Sequence, residues 1–439
     1  GLVSTITIID PQTIRFDFKP GYDPETVMIL SLMNVLPKHY WNKHDITRTT
    51  LTPPLGSGPY RIASVDPGRR ITYSRVEDYW GKDLPVNRGH YNFDTITHHY
   101  FRDDDIALQA FKSGEYDLRR EYDVTKWNTA YDFRALTDGR VVKEEIAHGR
   151  PEMLRALIFN TRRKVFRDIR VREALEQMFN HEWLNTTLYN GGLVKIDSVF
   201  ANSELAARDK PVAEELALLE TFRGKVAPKV FGEAYKSPAG HMRERQRRAL
   251  GLLREAGWTY KDQKLIDADG KTMRFEILLG SKGDEKIALE FARTLRRIGM
   301  DVAVRTVDSA QFAGRLDAFD YDMVLYRWIN SLSPGNEQMN YWGSAAAQQK
   351  GSRNYAGVRD PVVDALADSI ARAKDRPGLV TRARALDRVL MHGHYMIPLF
   401  YAGKDMVARS IEVKRPENTP VYGVVLESWW RENASKSSP

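Results

Sequence analysis

Apolar and polar residues alternate at every second position over 5–9 and 13–18, which predicts a β-hairpin turning at Asp10–Pro11; the same period marks strands at 71–75, 93–101 and 116–120. Helical spacing takes over in 23–35, from Asp103 to Lys112, and most regularly in 284–298. There Ile287, Phe291, Leu295 and Ile298 share one face and Gly299 supplies the stop. Strands at 263–267 and 273–279, joined by an Asp269–Gly270 turn, precede that helix. A strand at 300–307, a helix at 309–318 and a strand at 321–328 follow it. Such alternation predicts α/β layers with parallel strand pairs. Residues 155–180 read as an apolar strand, a turn and a helix carrying Val171, Leu175 and Met178; a helix over 361–390 then leads into an apolar strand at 397–401. No internal repeat is present, and only 433–439 reads as disordered.

The pattern lapses after the strand at 321–328. Residues 324–361 run VLYRWINSLSPGNEQMNYWGSAAAQQKGSRNYAGVRDP, a long loop dense in aromatics, amides and glycines. It leaves the carboxyl end of a strand, where open α/β sheets bind ligands. Trp328, Tyr341, Trp342 and Tyr355 supply flat apolar area. Asn330, Asn336, Gln338, Asn340 and Asn354 supply paired donors and acceptors, and Gly335, Gly343, Gly351 and Gly357 admit close backbone approach. The plainer alternative is that these aromatics pack on the domain beneath.

A chain of 439 residues is too long for one ordinary core, so two or three domains are expected. Its 66 basic residues are interleaved with 58 acidic ones, and the net charge of +8 does not form a phosphate track. The densest basic run, 243–248, falls on an amphipathic helix ending at Gly257 and reads as a solvated face. The absence of cysteine excludes disulfides, thiolate catalysis and cysteine-ligated zinc, and fits an exported protein. The longest apolar run, 27–36, contains Ser31 and Asn34 and is too short to span a membrane. A start inside a hairpin points to upstream sequence that this chain lacks.

Catalytic signatures are weak. Gly270-Lys271-Thr272 ends like a phosphate-binding loop, but Leu265 occupies the position of its first glycine. Neither an SxxK nor a GxSxG motif occurs. His98–His99 and His392-Gly393-His394 lack carboxylates at a metal-binding spacing, and adjacent histidines on a strand face opposite ways. Asp103, Asp104 and Asp105 open a helix, where carboxylates favour the N-terminal dipole.

Several ordered landmarks carry a family resemblance: PPLGSGPYRI (53–62), SRVEDYW (74–80), ALQAFKSGEYDL (107–118), LIFNTRRKVFRDIRVREAL (157–175), ALGLLREAGW (249–258) and DPVVDAL (360–366). On these the chain resembles the extracytoplasmic solute-binding proteins of peptide and nickel ABC importers. SPGNEQMNYWGS (333–344) and GSRN (351–354) place it nearest the YejA-type oligopeptide-binding proteins. The resemblance implies an α/β fold, a two-lobed periplasmic-binding-protein clamp with a mixed α/β sheet in each lobe. Lobe I would hold 1–153 and 396–439, lobe II 154–395, with interlobe strands near 154–160 and 397–407. Relatives begin well upstream of the position matching Gly1, so lobe I is expected to be incomplete at its N-terminus.

In peptide-binding relatives the strand matching 326–330 pairs with the peptide backbone, and an Asp three residues after the matching Trp holds the α-ammonium. Here Ser331 stands at that position, and Glu337 is the nearest acid in the loop. The resemblance thus implies ligand contacts from Tyr326, Arg327, Trp328, Ile329, Asn330, Ser331, Asn336, Glu337, Tyr341, Trp342 and Asn354. It further implies a periplasmic, monomeric, non-enzymatic receptor without cofactor or metal, delivering oligopeptides to an ABC permease of the inner membrane. A receptor for a peptide-like antibiotic, a cell-wall peptide or a metal chelate is the alternative. An exported peptide hydrolase would need a nucleophile or metal site that the sequence lacks, and a nucleic-acid binder a clustered basic stripe.

Overall fold

The computed structural model describes residues 3–20, 25–48 and 50–432. The chain divides into two compact units, one made of 1–31 and 150–402, the other of 32–149 and 403–439. The larger unit is built on a five-stranded mixed sheet, in the order Asp301–Thr306, Arg274–Leu279, Met323–Trp328, Leu154–Phe159, Met396–Pro398. The first three strands are parallel, as the strand–helix alternation predicts; the last two join antiparallel. Leu154–Phe159 is nearly continuous in apolar side chains because both faces of the sheet are covered. One face packs Val324, Trp328, Trp342, Val363 and Leu390; the other packs Phe159, Phe275, Ile277, Phe291 and Leu295. The amphipathic helix expected over 284–298 is Glu285–Arg296, with Ile287, Phe291 and Leu295 buried on that second face.

In the smaller unit Tyr60–Asp66, Arg70–Arg75 and Thr95–His99 form one antiparallel sheet, and Leu118–Glu121, Lys404–Ser410 and Val141–Ala147 another. Buried Arg119 is held by Glu121, Asp104 and the Tyr131 hydroxyl, so the acidic run at 103–105 has an internal partner besides its capping role. The Asp103 carboxylate accepts from the Ile106 N–H at the start of the Asp104–Ser113 helix.

The Asp269–Gly270 turn forms between Lys264–Ile266 and Arg274–Leu279 as expected: Ile266 bridges Thr272 antiparallel, the Gly270 N–H donates to the Asp267 carbonyl, and the Asp267 carboxylate accepts from the Asp269 and Lys271 N–H groups. The structure adds a second hairpin just before it, between Thr259–Lys261 and Lys264–Ile266, turning at Asp262 and Gln263, whose φ angles are 49° and 61°. The helix expected over 361–390 is two helices, Pro361–Ala371 and Arg376–His392. Asp375 caps the second and Pro377 stands in its first turn, where no N–H is needed. The hairpin Val3–Asp10 with Thr13–Phe18 forms as predicted and pairs only within itself among the described residues. The expected helix over 23–35 is Glu25–Ser31. The first two residues of that expectation, 23 and 24, lie outside the described residues, as does 433–439. No helix among the described residues is long and apolar enough to cross a membrane.

Candidate functional site

Hydrogen-bond alternation fixes which way each backbone group of the Met323–Trp328 strand points. The Leu399 N–H donates to the Arg155 carbonyl and the Phe159 N–H to the Tyr395 carbonyl, so Arg155, Leu157 and Phe159 serve the strand on their far side. Ala156 and Ile158 therefore face Tyr326 and Val324. Leu325 and Arg327 turn their N–H and C=O the other way, toward Arg274–Leu279. That strand pairs only through Ile277–Met323 and Leu278–Val324 and ends at Leu279. From Arg327 onward no strand among the described residues covers this side, which leaves a short open β-edge. Arg155, opposite Arg327, is ion-paired with Asp284 just past the end of the neighbouring strand.

The loop that follows is packed rather than open. Trp328 and Trp342 are each 1% exposed with ring centroids 4.5 Å apart. The Trp328 Nε1–H donates to the Arg353 carbonyl and the Trp342 Nε1–H to the Gln338 side chain. Tyr341 is buried and donates its hydroxyl to the Ile329 carbonyl; Tyr355 is buried edge-on to Tyr326. Asn330 donates to the Val199 carbonyl. Asn354, fully buried, donates to the Gly343 and Val358 carbonyls and accepts from the Val358 N–H, closing the tip of the loop on itself. A helix the sequence pattern did not mark, Glu337–Trp342, brings Gln338, Tyr341 and Trp342 inward together. Burial pushes the Tyr355 phenol far above its ordinary range.

Of the residues expected to touch ligand, the structure thus gathers Trp328, Asn330, Tyr341, Trp342 and Asn354 as interior packing. It leaves Arg327, Ile329, Ser331 and Asn336 exposed and Tyr326 and Glu337 half-buried along the rim. Ile329 is 60% exposed. The Ser331 hydroxyl accepts from the Ser333 N–H. Both Glu337 carboxylate oxygens accept from the Gly335 N–H, and one also accepts from the Gln338 amide. A carboxylate offers about four acceptor positions, so one direction remains for a further donor.

Three consecutive residues hold the loop in place and were not singled out by sequence reasoning. Asn160, Thr161 and Arg162 follow the Leu154–Phe159 strand. Asn160 donates to the Phe319 and Tyr321 carbonyls, and Thr161 to the Ala356 and Gly357 carbonyls. Arg162 donates to the carbonyls of Ala347, Asn354 and Tyr355 while its guanidinium lies 3.7 Å from the Phe319 ring centre. Burial lowers its pKa to about 10. Gly357 is required here: its φ is +73°, and a Cβ would sit 2.8 Å from Arg162 Nη1 and 3.0 Å from Thr161 Oγ1. The sequence signal was the run of polar side chains directly after an apolar strand. Among the described residues no group of three or more His, Asp or Glu side chains could hold a metal ion.

A two-unit α/β chain with an open strand edge beside an ordered loop has the architecture of a binding protein. The chain belongs to the bacterial extracellular solute-binding proteins, family 5, whose model matches residues 2–350. It is 40% identical over 443 residues to the "Probable peptide-binding protein YejA" of Agrobacterium fabrum, covering 98% of this chain and 72% of that protein. It is also 37% identical over 441 residues to the peptidoglycan-binding protein YepA of the same organism, with coverage of 98% and 72%. The oligopeptide-binding protein AppA of Bacillus subtilis, solved in complex with a nonapeptide, shares the fold with a TM-score of 0.69. That match has 20% identity and covers 98% of this chain and 78% of AppA.

Proposed function

We propose that this chain is a periplasmic receptor that captures oligopeptides and passes them to an ABC permease of the inner membrane, acting as a monomer and without catalysis of its own. The observation that carries the reading is the open edge at Arg327, where backbone N–H and C=O groups point to a side that no strand among the described residues covers. Backbone pairing along such an edge captures a peptide whatever its sequence, and the exposed side chains of Arg327, Ile329 and Ser331 would meet alternate residues of the added strand. The two-lobed clamp implied by the landmarks belongs to the same proposal, with the larger unit supplying this edge. In it Glu337 takes the role that Ser331 cannot fill, accepting from the peptide α-ammonium through its remaining lone pair. The buried aromatics and Asn354 serve by holding the rim rigid.

Native mass spectrometry after incubation with a mixed peptide library tests the reading. Retained, uncleaved peptides are expected; cleaved products would point to a hydrolase, and no retained peptide would remove the proposal. Calorimetry with free and N-acetylated peptides then addresses the ammonium. Acetylation and Glu337→Gln should each weaken binding by about tenfold or more, the loss of one charge-assisted hydrogen bond. Equal affinities in both experiments would discharge Glu337 from this role. A second reading, capture of cell-wall peptides, is favoured by the 37% identity to a peptidoglycan-binding protein. Competition between muropeptides and ordinary L-peptides separates the two.

A further inference from the structure

At the other end of the same sheet lies a cavity of about 440 Å³ whose lining has a single sign of charge. Arg162, Arg167, Arg172 and Arg359 contribute to its walls together with Tyr395, and no carboxylate lines it. Its position follows from the register. Thr161 leaves the end of the Leu154–Phe159 strand, and Tyr395 enters Met396–Pro398 at the same end. The open edge sits at the Leu154–Trp328 pair, five residue steps away, or roughly 17 Å. The two features are therefore separate places on one unit.

The four guanidinium groups divide into two kinds. Arg162 and Arg172 are immobilised: every side-chain nitrogen of each donates to a backbone carbonyl or to the Asn160 amide oxygen. Arg172 Nε and Nη2 reach the His394 and Gly393 carbonyls, and Nη1 the Phe166 and Arg167 carbonyls. They supply fixed positive charge but hold no carboxylate. Arg167 and Arg359 are exposed; Arg167 makes one long bond of 3.4 Å to the Arg162 carbonyl, and Arg359 repels Arg162. The nearest acids are committed elsewhere. Asp168 grips Arg170 with both oxygens and caps the Ile169–Gln177 helix, and Asp360 caps Pro361–Ala371. Burial, and after it the Asp360 charge, raises the Tyr395 phenol to about 12; like any tyrosine it is a hydrogen-bond donor at neutral pH. Like charges gathered around a partly enclosed space focus a positive potential there, and guanidinium forks match the oxygens of a phosphate group.

We propose that this cavity is a binding site for a phosphate-type oxyanion, clamped by the exposed guanidinium groups of Arg167 and Arg359 in front of the fixed charges of Arg162 and Arg172. The phosphate group is the shared chemistry of a free ion and of a lipid headgroup, and the volume admits more than one oxyanion. Calorimetric titration of the whole chain with inorganic phosphate and with pyrophosphate, at matched ionic strength in chloride, reads the free ion. Cosedimentation with phosphatidylglycerol-containing vesicles, against pure phosphatidylcholine, reads the headgroup. Saturable binding in either arm is expected, weakened about tenfold or more by Arg167→Gln combined with Arg359→Gln. Both replaced side chains are exposed, so the double variant should melt in chloride as the parent does. Binding of the ion alone would identify a free-anion site, and binding of anionic vesicles alone a headgroup site. No saturable heat with either ion, together with vesicle binding absent or indifferent to the double variant, would overturn the proposal.

Discussion

The N-terminal hairpin and the loop after Trp328 invert what their sequences suggest. The hairpin has clean alternation, yet Ile6, Ile8, Ile9 and Ile14 are 59%, 78%, 54% and 55% exposed. The loop has no period at all, yet Trp328 at its entry and Trp342 within it are each 1% exposed, and its tip residue Asn354 is completely buried. Periodicity specifies a local conformation, and the hairpin obeys it with six registered pairs. Burial depends on what the rest of the chain presents. For the loop, Thr161 and Arg162 present donors to carbonyls some 190 positions away, such as those of Gly357 and Asn354.

If that contrast is right, the same kind of truncation should have opposite consequences in the two regions. Trp328→Ala removes the largest side chain from the loop's core and should cost about 3–5 kcal/mol in urea unfolding of this chain. A loss below about 1 kcal/mol would mean that the loop packs more loosely than the structure has it. Arg162→Met keeps the apolar stem but leaves the carbonyls of Ala347, Asn354 and Tyr355 without their donor, for an expected cost of about 3 kcal/mol. Hydrogen exchange should quicken through 346–357 in that variant and stay unchanged in the hairpin.

Acidification sharpens the comparison, because titrating groups lie in the core of the larger unit. His181 is 1% exposed with Nε2 on the Pro398 carbonyl, and burial lowers its pKa from 6.5 to about 4. The unfolded chain then takes up a proton that the folded chain refuses. This contribution is complete above pH 6.5 and is lost as pH falls toward 4, to the extent of about 3 kcal/mol. Asp387 opposes it: burial raises its carboxyl from 3.8 to about 6, so its contribution is complete below 3.8 and lost as pH rises through 6. His181→Gln should flatten the stability profile between pH 6.5 and 4, and Asp387→Asn should steepen it. Unchanged profiles in both variants would remove these groups from the account. At the small end, Ile8→Ser in the hairpin should alter stability by less than about 0.5 kcal/mol. A cost of several times that would show that the hairpin's apolar face is covered in solution.

The sequence by itself determined the elements with strong local signals. It placed the Glu285–Arg296 helix within two residues at each end, the parallel strands on either side of it, and Asp103 as a cap. The family landmarks were legible because their order along the chain is a sequence property. The break between the helices at 361–371 and 376–392 was written in the sequence as Asp375, Pro377 and Gly378 within the polar stretch 372–378, though the single helix expected over 361–390 runs across it. The open edge at Arg327 was not legible, because it exists only where a neighbouring strand stops at Leu279 while the central one continues to Trp328. Nor could the sequence say that Trp342 and Asn354 face inward, since an aromatic or amide in an irregular loop has no period to betray its side. Tertiary structure decided these points through hydrogen bonds between distant residues, which satisfy the buried carbonyls of a loop that no ladder or helix could.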